Sequence, residues 1–273
     1  MPETIVLVDR LGFPECPRWH NGRLFFSDMN TGWVIAVDLQ GRTEEIVMVP
    51  GQPAGLGWLP DGKLLVVSMT DRCLMKMNPA GLFEFADLST LASYHCNDMV
   101  VNSRGMAYVG NFGSDLNNIN SLKPAEIIMI DPEGKAKVVA DQLVFPNGAV
   151  ITPDENTLIV AETFASRLTA FDILENGSLA NRRVWAELKG TMPDGICLDE
   201  EGAIWVASPF EGKVIRIKEG GEITAQIQIS NKPYACMFGG PGHNVLFILS
   251  SGSTYQSGRI ETINLDISGA GYP

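Results

Sequence analysis

Residues 144–163 read VFPNGAVITPDENTLIVAET, two apolar runs joined by a turn at Thr152-Pro153-Asp154. Both runs are short and rich in Val and Ile, the composition of strands. The Asn147-Gly148 pair near the start would ordinarily mark a solvent turn. Yet MPDGICLDEEGAIWVAS, residues 192–208, repeats the same layout 47 residues later, with Asp194 where Asn147 stood. A turn repeated in that way calls for a structural reason.

Working outward, the pattern recurs six times. Its starts are Pro14-Glu15, Pro53-Ala54, Cys96-Asn97, Pro146-Asn147, Pro193-Asp194 and Pro233-Tyr234, separated by 39, 43, 50, 47 and 40 residues. Each start leads through a turn, such as Pro60-Asp61-Gly62 or Glu200-Glu201-Gly202, into a second apolar run: LFFS, LVVS, AYVG, LIVA, IWVA and LFIL. Five of these runs end in a small residue (Ser27, Ser68, Gly110, Ala161, Ala207), which suits strands converging on a crowded axis. A third strand follows in every unit, from VIAVD to IETIN, and a fourth, such as EEIVMV or ITAQIQI, precedes the next start. A period of roughly 40–50 residues with four short strands per unit is the signature of a propeller. No segment has the spacing of an amphipathic helix. The expected fold is therefore all-β, a six-bladed β-propeller of four antiparallel strands per blade. Residues 1–273 are expected to form one such domain.

The last unit has no fourth strand of its own after Asn264. TIVLVDRL, residues 4–11, precedes Pro14 as a fourth strand precedes every other start. The N-terminal strand is thus expected to complete the last blade and remove the open seam.

The first strand of a propeller blade lines the central channel. The residue after each Pro or Cys would then stand at one mouth of it: Glu15, Ala54, Asn97, Asn147, Asp194 and Tyr234. Four of the six carry oxygen ligands. Two carboxylates and two carboxamides directed at one point suit a hard divalent cation. Without a cation, two facing carboxylates would be costly to desolvate. Gly148 and Gly195 then serve close packing at the mouth and not a turn. Asp98, next to Asn97, is expected to point the other way on the strand and to be a supporting or structural acid, not a ligand. Asn111 and Glu162 share a later column and are candidates for either supporting or structural roles.

Composition narrows the function. Lys plus Arg is 20 and Asp plus Glu is 32, a net charge of −12 with no basic cluster. Nucleic acid and anionic membrane surfaces are poor partners for such a chain. No apolar run is long enough to span a bilayer, and the N-terminus does not read as a secretory signal. The five cysteines have no metal-site spacing, as expected of buried thiols in a cytoplasmic protein. Three histidines make a His-based zinc site a poor fit. There is no G-x-S-x-G elbow, phosphate loop or dinucleotide fingerprint.

PECPRW with Glu15 and Trp19, CNDMVV with Asn97, FPNG with Asn147 and MPDGICLDEEGAIWVA with Asp194 together resemble the gluconolactonase, regucalcin and senescence-marker-protein family of six-bladed propellers. The resemblance covers nearly the whole chain. It implies that Glu15, Asn147 and Asp194 hold one divalent metal, with Asn97 completing the shell or orienting substrate and water. Calcium is the leading candidate, with Mg, Mn, Zn or Fe also possible. It further implies a metal-dependent lactonase acting on a small-molecule lactone, with Asp194 as general base. The alternatives are a non-catalytic calcium- or ligand-binding propeller and another metal-assisted hydrolase or lyase.

One position departs from the family. Sugar-lactone members often carry Arg two residues before the matching Asn, and here that residue is His95. An Arg offers five donors to hydroxyls and carboxylates, whereas His is smaller and largely neutral at pH 7. Phe112, Phe164 and Phe210 occupy the loop after the second strand in three consecutive blades. Tyr255 follows in the sixth, and Tyr234 stands in the ring. With His95 and Asn97, Phe112, Phe164, Phe210 and Tyr234 form the expected substrate-binding set, an aromatic rim suited to a partly apolar ligand.

Overall fold

The computed structural model describes residues 3–115 and 122–271. Among these residues the chain forms 24 strands in six four-stranded sheets, plus one short 3₁₀ turn at Thr163–Ala165. Each sheet is an antiparallel meander, and the six together make the six-bladed propeller expected from the repeat. The inner strands are Pro14–His20, Pro53–Trp58, Cys96–Val101, Pro146–Ile151, Ile196–Leu198 and Lys232–Gly239.

Burial follows position in the blade. The second strands, such as Leu64–Ser68 and Ile204–Ser208, are buried along their whole length. Outer strands such as Thr43–Met48 are largely exposed. Continuous apolar runs are what a strand covered on both faces requires, while the outer strands need only one apolar face. The core lies between blades. Val100, Tyr108, Ile127 and Met129 of the third blade pack against Ala149, Ile151, Val160 and Phe171 of the fourth.

The small-residue column has the role expected of it. Ser27 Oγ donates to the Ala54 carbonyl of the next blade at 2.6 Å. A Cβ on Gly110 would lie 3.3 Å from the Pro146 carbonyl oxygen, leaving little room for a larger residue. On the opposite face, the hairpins close through an aspartate or asparagine that accepts two main-chain N–H groups. Asp131 Oδ1 takes those of Glu133 and Lys135, at 3.0 and 2.8 Å. Gly134 supplies the left-handed residue of that turn at φ 87°.

The N-terminal strand Ile5–Leu11 closes the last blade. It pairs antiparallel with Gly258–Asn264, matching Ile5 to Thr262 and Leu11 to Gly258. Thr4 Oγ1 adds a hydrogen bond to Glu261 Oε1 at 2.8 Å. Removing residues 1–10 would expose the edge of Gly258–Asn264. The truncated chain should melt at least about 5 °C lower and aggregate on heating, as measured by calorimetry and light scattering. Equal heat stability would show that the closure is dispensable.

Candidate active site: a polar ring at one mouth of the channel

The ring depends on irregular backbone. In five blades the inner strand slips register at or just after the ring residue: between Glu15 and Arg18, Pro53 and Leu56, Cys96 and Met99, Pro146 and Ala149, and Pro233 and Ala235. Such bulges bend a strand and re-aim its side chains. In the fifth blade the regular strand starts only at Ile196, and Asp194 N–H reaches the Ala207 carbonyl at 3.0 Å.

Glycines let adjacent blades touch at this level. Gly148 N–H donates to the Asp194 carbonyl at 3.2 Å, and Gly195 N–H donates to the Tyr234 carbonyl at 2.7 Å. A Cβ on Gly148 would lie 2.5 Å from Ile196 N, and one on Gly195 would lie 2.7 Å from Ala235 Cα. No side chain fits there. Asn147-Gly148 is therefore not a turn: the glycine brings main chain against main chain while the asparagine faces the channel.

The four oxygen-bearing residues come together. Asn97 Nδ2 donates to Asn147 Oδ1 at 3.3 Å, and the Asn147 side chain is hydrogen-bonded to Asp194. Asn147 Nδ2 also contacts Thr163 Oγ1 at 3.3 Å, and Thr163 donates to the Pro193 carbonyl at 2.7 Å. Thr163 thus ties Asn147 to the residue before Asp194. Glu15 Oε2 accepts the Cys16 N–H at 2.9 Å. Glu15, Asn97 and Asn147 are buried, while Asp194 keeps some exposure. The other two ring members differ: Ala54 is buried and apolar, and half-buried Tyr234 packs on Phe13 with ring centroids 4.6 Å apart.

The electrostatics are those of crowded carboxylates. Burial raises the Glu15 pKa well above its usual range, and the charges of Asp194 and Asp98 push the same way. Asp194 is pushed up to about 8, first by burial and then by Asp98; hydrogen bonds from Asn147 and Gly195 oppose the rise. Tyr234 is raised by burial and by both ring carboxylates. Among the described residues no three His, Cys, Asp or Glu side chains converge as a metal cluster. The donor set of the ring is instead two carboxylates plus two carboxamides, all oxygen, with each carboxylate raising the cost of ionising the other. That chemistry fits a hard divalent cation held by Glu15, Asn147 and Asp194 with Asn97 beside them.

Asp98 departs from expectation. The register slip between Cys96 and Met99 lets two consecutive residues face inward, so Asp98 does not turn away from the channel. It pairs instead with buried Arg18 at 3.1 Å. Asn111 and Glu162 have structural partners. Asn111 Nδ2 bonds Glu126 Oε2 at 2.9 Å, and Glu162 pairs with Arg167 at 2.8 Å and Arg182 at 3.1 Å.

The aromatic rim is partly present. Half-buried His95 stacks on Tyr94 at 4.2 Å and stands 6.3 Å from Phe112. Phe112 stacks on Phe145 at 4.9 Å, and Phe145 meets Phe164 at 5.1 Å. These rings form one continuous row. Phe145, its middle member, precedes Pro146 and was not among the expected residues; its place directly before the repeat start is the signal that could have found it. Burial, reinforced by the charge of Arg72, lowers the His95 pKa and favours the neutral ring. Phe210 and Tyr255 are 64% and 85% exposed and join no aromatic contact among the described residues. A small cavity lined by Trp19, Cys197, Met237 and His243 includes none of the ring residues and no carboxylate.

Fold and site define a six-bladed propeller with an oxygen-rich ring at one channel mouth. Residues 13–252 match the SMP-30/gluconolactonase/LRE-like family, and the chain belongs to it. A 6-deoxy-6-sulfogluconolactonase from Pseudomonas putida is 25% identical over 92% of this chain and 88% of its own length. Regucalcin from Bos taurus is 23% identical over 89% of this chain and 84% of its own. The crystal structure of regucalcin from Agrobacterium tumefaciens, described as a calcium-binding protein, superposes with a TM-score of 0.84. It covers 100% of this chain and 96% of that one at 22% identity.

The raised carboxyls give a signed pH dependence. A carboxyl whose pKa is higher in the folded protein destabilises the fold once pH exceeds its unfolded value, about 4. In chelator, stability should therefore fall from about pH 4 to about pH 8, the window set by Asp194. Melts at pH 5 and pH 8 should show the lower Tm at pH 8, and Asp194→Asn should shrink the difference. An unchanged difference in Asp194→Asn would place its origin elsewhere.

Proposed function

We propose that the protein is a divalent-cation-dependent lactonase that opens the ester ring of a small lactone by hydrolysis. The observation that carries this reading is the meeting of Glu15, Asn97, Asn147 and Asp194 at one mouth of the channel. The names of relatives support the reaction class, since they include a 6-deoxy-6-sulfogluconolactonase. Glu15, Asn147 and Asp194 would hold the cation, with Asn97 in or beside the shell. Calcium is favoured by the all-oxygen set and by the calcium-binding relative. The whole chain would act as one propeller domain. Its five free cysteines accord with a reducing cytoplasm, and no helix among the described residues is long and apolar enough to cross a membrane.

A cation bound there would supply Lewis-acid polarisation of the ester carbonyl. The chain's own residues do the rest. Asp194 takes the proton of the attacking water as the new C–O bond forms, and returns it to the alkoxide leaving group as the ring C–O bond breaks. The Asn147 side chain orients the Asp194 carboxylate for this task. The row from His95 to Phe164 offers an apolar wall for the substituent of the lactone and keeps bulk water off one side.

Proton release from a panel of lactones, after chelation and re-addition of single metals, tests the proposal. Activity should vanish with chelator and return with calcium or another single divalent ion. Asp194→Asn should lower kcat by at least about 100-fold while retaining cation binding, because it keeps an oxygen ligand and loses the base. Wild-type turnover in the cation-loaded variant would remove Asp194 from that role.

The substrate class follows from the wall. Lactones with an alkyl or aryl substituent should show a higher kcat/KM than glucono-1,5-lactone, with each extra methylene worth on the order of 1 kcal/mol. A tenfold preference for the sugar lactone would show that the aromatic row is structural and that His95 does the work of the absent Arg.

A further inference from the structure

Below the ring, an ion pair joins two blades that are not neighbours. Arg18 lies on the inner strand of the first blade and Asp98 on that of the third. Both are buried, at 2% and 6% exposure, and Arg18 Nη2 stands 3.1 Å from Asp98 Oδ1. Nη2 also donates to the Met99 carbonyl, and Nη1 donates to the Pro17 carbonyl at 2.7 Å. Among the described residues Nε has no hydrogen-bond partner, and Asp98 is the only charged group bonded to this guanidinium. The second blade lies between the two and presents Gly55 at this level. A Cβ there would be 2.4 Å from Met99 N and 2.8 Å from the Asp98 carbonyl carbon.

Asp98 is one peptide bond from Asn97 and near enough to both Glu15 and Asp194 to act on their charge. The mouth of the channel thus holds three carboxylates. Arg18 supplies one positive charge and a divalent cation would supply two, which balances the three. An arginine is suited to this task because it stays charged when buried and its fork fixes the direction of the pair. The main-chain N–H of Met99 holds the same Asp98 oxygen at 2.7 Å. Asp98 is therefore tied down from two sides.

On the strength of the cation-site reading above, we propose that Arg18 is a positioning residue that keeps Asp98 out of the cation shell, so that the shell holds two carboxylates and not three. The number of charged ligands sets both cation affinity and how strongly the cation polarises a substrate. A third carboxylate would tighten binding and weaken catalysis.

The test is calcium affinity of the chelator-stripped full chain, measured by competition with a fluorescent chelator alongside turnover. Arg18→Gln frees Asp98 and should bind calcium about tenfold more tightly while turnover falls at least about tenfold. Arg18→Lys keeps the charge and should stay within about threefold of wild-type affinity, as should the neutral double variant Arg18→Gln with Asp98→Asn. Asp98→Asn alone leaves a buried cation beside the site and should weaken calcium binding at least about fivefold; it serves if Arg18→Gln does not fold. A pair that merely braces the fold would lower affinity and Tm together in every variant. Unchanged or weaker binding in Arg18→Gln, or unchanged or tighter binding in Asp98→Asn, would overturn the positioning role and leave the cation site standing. A wild-type chain that binds neither calcium, manganese nor zinc would remove both.

Discussion

Six inner strands have to meet around one axis, and the contact of main chain with main chain at that axis governs the rest of the structure. Gly55, Gly148 and Gly195 each sit where a Cβ would come within 3 Å of the backbone of the next blade. Two of them donate hydrogen bonds across the gap, from Gly148 to Asp194 and from Gly195 to Tyr234. These contacts bring the ring residues together. With a side chain at Gly148 or Gly195 the blades would part, and Asn147 and Asp194 would separate.

Close approach has an electrostatic consequence. Glu15 and Asp194 face one another in a confined space, and both are pushed toward their neutral forms by burial and by neighbouring negative charge. A fold that only had to be stable would place apolar residues there, since buried like charges are costly. Structural acids in this chain are handled differently. Glu162 is wholly buried yet accepts from Arg167, Arg182, Thr169 and Val144, and its pKa is lowered. Asp199 likewise is held by Arg216 at 2.7 Å and Trp205 at 3.0 Å. Glu15 and Asp194 have no cationic side chain bonded to them among the described contacts. That contrast between satisfied and strained acids singles out the channel mouth as the candidate site.

Around the channel, the oxygen-bearing residues are distinct from those that brace them. Glu15, Asn97, Asn147 and Asp194 present oxygens, while Thr163 links Asn147 to the strand that carries Asp194. Arg18 and Asp98 close the space beneath. To one side, the row from Tyr94 through His95, Phe112 and Phe145 to Phe164 is built from loops of two blades. The oxygen-bearing ring and the aromatic row thus rest on different residues of one mouth.

The sequence by itself determined the blade count, the strand pattern, the N-terminal closure and the ring column of Glu15, Asn97, Asn147 and Asp194. All of these are periodic, and a repeat makes equivalent positions visible without coordinates. Only the tertiary structure decided what departs from the period. Alternation along a strand points Asp98 outward, but the bulge after Cys96 turns it inward. Arg18, 80 residues earlier in the chain, becomes its partner through a contact that skips a blade. Thr163 and Phe145 enter the site because a 3₁₀ turn and a left-handed residue at φ 58° carry them there. Phe210 and Tyr255 share the loop position of Phe112 and Phe164 yet remain exposed, because a shared place in the repeat fixes where a loop begins and not which way its side chains turn. Bulges, loop directions and contacts across the channel are set by three-dimensional packing, which no local pattern in the chain records.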